Sequence, residues 1–125
     1  MLKWFLGASL ALALPAVASA QDAEEGAKIF KKCAACHQIG PAAKNGLGPE
    51  LTCVIGRPVG SVEGFNYSEK LKAAGFTWDD EHFLKWAEAD DKLVPGNKMI
   101  FPAGVKDETD RANLLAYVKS QCPAK

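Results

Sequence analysis

The pentapeptide Cys33-Ala34-Ala35-Cys36-His37 is the feature that most constrains what this chain of 125 residues can fold into. Cys-x-x-Cys-His is the spacing at which c-type proteins attach haem covalently. Each of the two thiols can add to one vinyl group of the same haem, and the adjacent imidazole can then bind the iron. The motif therefore predicts a chain that folds around one covalent haem c and transfers electrons.

Two other chemistries use a Cys-x-x-Cys pair, namely a redox disulfide of the thioredoxin type and half of a zinc site. Cys53 and Cys122 could complete a set of four zinc ligands, but they lack the paired spacing. A thioredoxin-like motif belongs in a βαβ pattern, and no convincing strand precedes Cys33. We therefore favour the interpretation that Cys33 and Cys36 attach a haem.

Residues 1–20 have the pattern of a secretory signal peptide. Lys3 is followed by an uncharged, mostly apolar run over residues 4–17, and Ala18-Ser19-Ala20 is a small-residue cleavage site. A membrane anchor is the alternative, but this run is shorter than the roughly 20 residues that a span requires. We therefore expect residues 21–125 to be one domain, soluble in the periplasm, where haem attachment and disulfides are both possible.

The charge balance excludes one broad class of partner. The chain has 15 Lys and Arg residues against 15 Asp and Glu residues, which gives a formal net charge of zero. Nucleic-acid binding requires a strongly basic face, so no nucleic-acid partner is expected.

The pattern of apolar residues and caps predicts an all-α fold. Three main helices are expected over residues 22–33, 77–89 and 108–121, with Thr77 as the N-cap of the second. A short helix is expected over residues 68–74. The segments between them are rich in Gly and Pro, and such long loops suit a chain wrapped around a bound haem.

Composition narrows the choice of a second iron ligand. The chain has two Met and two His, and Met1 leaves with the signal peptide. Met99 lies in an irregular segment between Pro95-Gly96 and Pro102, which could bend over a haem face, whereas His82 falls early in a helix among carboxylates. His/Met, His/His and an open sixth position are all conceivable. We favour His37 with Met99, because Met99 is the only methionine after the signal peptide and lies in a loop and not in a helix. A thioether ligand would raise the reduction potential, and a filled site suits a carrier better than an enzyme.

These residues and several further motifs together resemble the class I c-type cytochromes, particularly the bacterial cytochrome c2 and mitochondrial cytochrome c types. The resemblance covers residues 22–121. The matching motifs, in order, are Gly26 and Phe30, the haem motif, Gly48-Pro49-Glu50-Leu51, Gly56-Arg57, Gly64-Phe65-Asn66-Tyr67-Ser68, Trp78, Pro95-Gly96-Asn97-Lys98-Met99-Ile100-Phe101, and Leu114-Leu115-Ala116-Tyr117.

The resemblance implies a role for each of several residues. The carbonyl of Pro49 would accept the ring N–H of His37, which orients the imidazole. Tyr67 and Trp78 would hydrogen-bond a buried haem propionate, and Arg57 would offset its charge.

The resemblance also implies which residues contact the haem ring and which ones pack between the two terminal helices. Trp86 and Phe101 would contact the haem, with Trp86 standing where many relatives have a tyrosine. Gly26 and Phe30 would pack against Leu114 and Tyr117 where the terminal helices cross.

The resemblance also implies a disulfide and a docking face. In the family fold the loop after the haem motif passes near the end of the last helix, which would join Cys53 to Cys122. Asp91 stands where mitochondrial relatives usually carry a docking lysine. Lysines around the haem edge would orient partners, the candidates being Lys32, Lys44, Lys92, Lys98 and Lys106.

By the same resemblance, the chain would be a monomeric carrier between a membrane cytochrome bc complex and a photosynthetic reaction centre or terminal cytochrome oxidase. A dedicated donor or acceptor for a periplasmic dehydrogenase or reductase is an alternative. A small peroxidase or sensor with an open haem site is another, against which Met99 argues.

Overall fold

The computed structural model describes residues 22–123, and within them four helices form. They are α1 (Ala23–Phe30), α2 (Glu69–Lys72), α3 (Asp80–Leu93) and α4 (Glu108–Ser120). Among the described residues the only β-pairing is an isolated antiparallel bridge between Pro58 and Thr77. The predicted all-α architecture, with three main helices, one short helix and long loops, is confirmed. The expected signal peptide at residues 1–20 lies outside the described residues.

The two terminal helices, α1 and α4, pack against each other at a glycine. A β-carbon on Gly26 would overlap the backbone carbonyl of Asn113 and contact Tyr117, so only glycine allows this approach. The rings of Phe30 and Tyr117 lie 5.4 Å apart next to the crossing. Gly26 thus contacts Asn113 and Tyr117. The contact with Tyr117 is one that the resemblance implies, and Asn113 is the neighbour of Leu114, the other implied contact.

A single apolar core connects these helices to α3 and to the loop after the haem motif. Its buried members are Phe30, Val54, Phe83, Ala87, Val105, Leu114, Leu115 and Val118. Trp78 and Phe101, among others, pack against it from partly buried positions. The core therefore lies immediately behind the residues expected to bind haem.

The starts and ends of the helices differ from the predicted ones for identifiable reasons. Helix α1 ends at Phe30, and the chain continues in tight turns, with the Cys33 N–H donating to the Phe30 carbonyl at 2.7 Å. The N-cap of α3 is Asp79, whose carboxylate accepts the His82 N–H at 2.7 Å. Thr77 lies two residues before this cap, in the antiparallel bridge to Pro58.

Helix α3 also continues past its predicted end, through a kink. Ala89 has non-helical dihedral angles (φ −161°, ψ 86°), yet the helix runs on to Leu93. The N–H of Val105 and the ammonium of Lys106 donate to the carbonyls of Ala87 and Glu88, at 2.8 and 2.6 Å. Those carbonyls would otherwise accept from the next helical turn, so the kink comes from competition by the segment before α4.

The short helix and α4 lie close to their predicted positions. Ser68 caps α2 by accepting the Leu71 N–H at 3.1 Å. Asp107 caps α4 by accepting the Asp110 N–H at 2.9 Å. No helix among residues 22–123 is long and apolar enough to cross a membrane.

Candidate functional site

The helices and loops surround a cavity of about 450 Å³. That volume lies within the roughly 300–1,000 Å³ typical of cofactor and ligand sites. The ten residues expected to bind haem or its iron all line it, namely Cys33, Cys36, His37, Pro49, Arg57, Tyr67, Trp78, Trp86, Met99 and Phe101. Cys33 and Met99, which are 66 residues apart in the sequence, therefore line the same cavity.

The imidazole of His37 is fixed on the cavity wall. Nδ1 lies 2.8 Å from the carbonyl oxygen of Pro49. A carbonyl only accepts, so Nδ1 carries the proton and the lone pair is on Nε2. Burial lowers the pKa of His37, partly opposed by the Pro49 hydrogen bond, and this favours the neutral ring that a metal requires. Gly48 lies against the ring, and a β-carbon there would overlap Cε1.

The two motif cysteines are free thiols at the cavity wall, one partly buried and one exposed. Burial raises the pKa of Cys33 to about 11. A redox dithiol needs a depressed thiol pKa, so this environment disfavours the thioredoxin-type reading. Cys53 and Cys122 are joined to each other in a disulfide. They are therefore not the remaining ligands of a four-cysteine zinc site.

Met99 reaches the cavity from the loop after α3. Its backbone N–H donates to Oδ1 of Asn97 at 2.6 Å, which holds the loop in a tight turn. His82 does not line the cavity. Its ring stacks on Phe76 at 4.3 Å, and its Nδ1 lies 2.8 Å from Oδ1 of Asp79. The described structure thus brings Met99, and not His82, to the same space as His37.

Arg57 lines the cavity, but its charge is already paired. Its guanidinium donates to a Glu50 carboxylate oxygen at 3.2 Å and to the backbone carbonyls of Thr52 and Glu50 at 3.1 and 3.0 Å. The backbone of Arg57 also pairs with that of Trp78, whose N–H donates to the Arg57 carbonyl at 2.9 Å. This pairing holds both side chains at one end of the cavity.

The aromatic residues of this wall pack edge to face. Trp78 and Trp86 have ring centroids 5.3 Å apart, almost perpendicular. The hydroxyl oxygen of Tyr67 accepts the Val62 N–H at 2.9 Å. Burial raises the pKa of Tyr67, so the phenol stays protonated at neutral pH and keeps its own proton to donate.

The candidate docking lysines are all exposed. Lys98 lies on the cavity lining, whereas the ammonium of Lys106 is engaged by the Glu88 carbonyl. Two large apolar residues on the lining, Leu47 and Ile100, are 81% and 89% exposed. The mouth of the cavity thus has an apolar rim with at least one lysine beside it.

The sequence does not predict several residues of the site. Leu47, Leu71 and Phe83 line the cavity without belonging to any motif. Glu50 belongs to a sequence motif, but its pairing with Arg57 depends on a loop conformation that no local signal predicts. The apolar character of Phe83 could have indicated a buried helix face, but not which cavity it meets.

The cavity is suited to a haem. Most of its lining is apolar, two thiols stand at one side, and a neutral imidazole offers a free nitrogen. A donor set of one imidazole and one thioether is a known axial pair for haem iron. The fold and this cavity together define an all-α haem-binding protein.

Comparisons with known proteins agree with that class. The family model for cytochrome c matches residues 23–121. Cytochrome c2 of Rhodoblastus acidophilus is 52% identical over 99 residues, covering 79% of this chain and 92% of the relative. Cytochrome c-554 of Methylosinus trichosporium is 48% identical over 115 residues, covering 90% of this chain and 86% of the relative.

A solved structure shows the same relationship. Cytochrome cH from Methylobacterium extorquens superposes with a TM-score of 0.74 at 40% identity, covering 79% of this chain and 98% of that one. The chain belongs to the cytochrome c family. It is a class I c-type cytochrome, an electron carrier with one covalently bound haem c.

Proposed function

We propose that this protein is a periplasmic one-electron carrier that accepts electrons from a cytochrome bc complex and delivers them to a reaction centre or terminal oxidase. The observation that carries the proposal is the pairing of a neutral, oriented His37 with Met99 on one apolar cavity. With both residues bound to the iron, the site would leave no position for a substrate, which suits a carrier.

The proposed roles of the residues follow from their chemistry. Cys33 and Cys36 would form the two thioether bonds that hold the haem. Nε2 of His37 and Sδ of Met99 would bind its iron. When bound, the haem iron supplies reversible one-electron chemistry. The thioether of Met99 favours ferrous iron, which raises the reduction potential above that of a two-imidazole site.

The aromatic and charged residues at one end of the cavity would bind the haem propionates. The phenol of Tyr67 and the indole N–H of Trp78 can both donate to a buried carboxylate. Arg57 would add a compensating charge, shared with Glu50. Trp86 and Phe101 would cover the ring with apolar surface.

Docking would combine charge and apolar contact. Lysines orient the carrier and speed its encounter with a partner, whereas Leu47 and Ile100 offer a small apolar contact that a weak complex can release. The candidates are Lys32, Lys44, Lys92, Lys98 and Lys106. The rate of reaction with an isolated bc complex should fall as ionic strength rises, because salt screens these charges. A rate that does not depend on salt would contradict this docking mode.

The ligand pair is tested by optical spectra of the holoprotein, with carbon monoxide added to the ferrous form. We expect a low-spin haem with a sulfur-to-iron charge-transfer band in the ferric state and no reaction with carbon monoxide. Met99→Ala should abolish the band and admit carbon monoxide. His82→Ala is the matched control and should leave both unchanged. Rapid carbon monoxide binding by the wild-type protein would instead indicate an open site, as in an enzyme or sensor.

Export is a separate part of the proposal. The expected cleavage after Ala20 would give a mature protein that begins at Gln21 and is released with the periplasmic fraction. Intact-mass measurement of the purified holoprotein tests this. A mass that retains residues 1–20 would contradict removal of the signal.

A further inference from the structure

The carboxylate of Asp90 is buried at the kinked end of α3, with only 4% of the residue exposed. Aspartate is rarely so buried unless it has a partner. Its side-chain partner is Asn97, whose Nδ2 donates to Oδ2 of Asp90 at 3.0 Å. We propose that Asp90 is a positioning residue for Met99, acting through the side chain of Asn97.

The hydrogen bonds of Asn97 link the carboxylate to the ligand loop. Besides the bond to Asp90, Nδ2 donates to the Val94 carbonyl at 3.0 Å, which uses both of its protons. Oδ1 accepts the backbone N–H of Met99 at 2.6 Å. The carboxamide therefore joins the end of α3 to the residue that carries the thioether.

The Asp90 carboxylate also fixes the orientation of the Asn97 carboxamide, that is, which of Nδ2 and Oδ1 lies next to Asp90. Both groups on its Nδ2 side, the Asp90 carboxylate and the Val94 carbonyl, only accept hydrogen bonds. A flipped carboxamide would place its oxygen against these oxygens and its NH₂ against the Met99 N–H. Without Asp90, only the Val94 carbonyl would oppose that flip, and the Met99 turn would lose part of its support.

Asp90 directly follows the kink in α3. Because the carbonyls of Ala87 and Glu88 are bonded to Val105 and Lys106, the helix departs from regular geometry at Ala89. The next residue, Asp90, is buried, whereas its neighbour Asp91 is exposed. The same stretch of chain thus offers a buried carboxylate and an exposed one for comparison.

The inference rests on the proposed ligation by Met99, and spectra of the holoprotein test the two separately. Asp90→Ala removes the acceptor, and Asp90→Asn keeps an acceptor of the same shape without the charge. Asp91→Ala is the matched control, since it removes a neighbouring carboxylate that is exposed. The readouts are the sulfur-to-iron charge-transfer band of the ferric form and the rate of carbon monoxide binding to the ferrous form.

We expect Asp90→Ala to weaken the band and speed carbon monoxide binding about tenfold, as loss of one charge-assisted hydrogen bond implies. Asp90→Asn should restore most of the wild-type behaviour, and Asp91→Ala should not differ from wild type. Asn97→Ala should reproduce the effect of Asp90→Ala, and the double variant should be no worse than either single one.

Other results would overturn the inference. A normal band and slow carbon monoxide binding in Asp90→Ala would show that Met99 is held without Asp90. Equal loss in Asp90→Asn and Asp90→Ala would assign the effect to charge and not to position. If Asp90→Ala yields no holoprotein, Asn97→Ala decides, and a normal band there overturns the inference. Absence of the band from the wild-type protein would refute the ligation by Met99 and the inference with it.

Discussion

The imidazole of His37 lies directly against Gly48, where a β-carbon would overlap ring atom Cε1. The next residue holds the same ring, with the Pro49 carbonyl oxygen 2.8 Å from Nδ1. A larger residue at position 48 would therefore displace the imidazole and strain this hydrogen bond.

Gly48→Ala should displace the His37 ring. We expect a lower yield of holoprotein, loss of a pure low-spin spectrum, and a destabilisation of about 1–3 kcal/mol, the usual cost of overpacking. Optical spectra and urea unfolding of the holoprotein measure these effects. Gly46→Ala is the control, because a β-carbon there would meet only the Cys36 carbonyl at an ordinary 3.7 Å. Wild-type spectra and stability in Gly48→Ala would contradict the packing described here.

Gly26→Ala should separate the two terminal helices. Its β-carbon would overlap the Asn113 carbonyl, which is backbone and cannot swing aside. We expect a loss of about 1–3 kcal/mol or more in the free energy of unfolding, with little change in the haem spectrum. Glu24→Ala, at an exposed position of the same helix, should stay within about 0.5 kcal/mol of wild type. Equal stability of the two variants would refute the close helix contact.

Removing the Cys53–Cys122 disulfide should destabilise the protein without changing its ligands. The bridge spans a sequence separation of 69 residues. On the chain-entropy model, Cys53→Ser/Cys122→Ser should cost up to roughly 4.5 kcal/mol, measured by urea unfolding of the holoprotein. Position 53 has a left-handed φ of 56°, so Cys53→Gly/Cys122→Ser should lose less than the serine variant. Alkylation of both thiols in the folded, unreduced holoprotein would show that the bridge is absent.

Asp79 should contribute to stability in a pH-dependent way. The backbone N–H of His82, followed by its side chain, lowers the pKa of Asp79 below the ordinary 3.8. An acid with a depressed folded-state pKa stabilises the fold above its unfolded pKa, and this contribution is lost as pH falls through the folded value. Asp79→Ala should therefore be less stable than wild type near neutral pH, and the difference should shrink below about pH 4.

Thermal unfolding from pH 7 down to pH 2 checks this prediction. Asp91→Ala, which removes an exposed carboxylate near the other end of α3, is the control for the loss of one negative charge from this helix. A constant gap between Asp79→Ala and wild type across that range would contradict the capping role of the carboxylate.

The parts of the molecule that sequence could predict are those with local signals. The haem motif is recognisable from spacing alone, and Met99 from being the only methionine after residue 1. The overall helix pattern follows from caps and apolar stripes. The N-cap of α3 was predicted wrongly, because Thr77 and Asp79 are both good caps. In the structure the helix begins directly after Asp79, and Thr77 lies in the bridge to Pro58.

The remaining features depend on contacts between distant segments. The kink at Ala89 arises because Val105 and Lys106 compete for helical carbonyls, and nothing within α3 signals it. Asp90, the residue after the kink, is buried, and the sequence does not signal that either. The pairing of Arg57 with Glu50 likewise depends on how one loop folds back on itself. In the sequence, Asp90, Arg57 and Glu50 cannot be distinguished from charged residues on the surface.

The Cys53–Cys122 bridge gives the chain a closed covalent path. A protease that cuts one peptide bond anywhere between residues 53 and 122 leaves both fragments in the same molecule. The loop around Met99 lies inside that closed path, so a nick there does not let the C-terminal helix diffuse away. A single cleavage in this stretch is then a local opening of the chain and not the loss of a fragment.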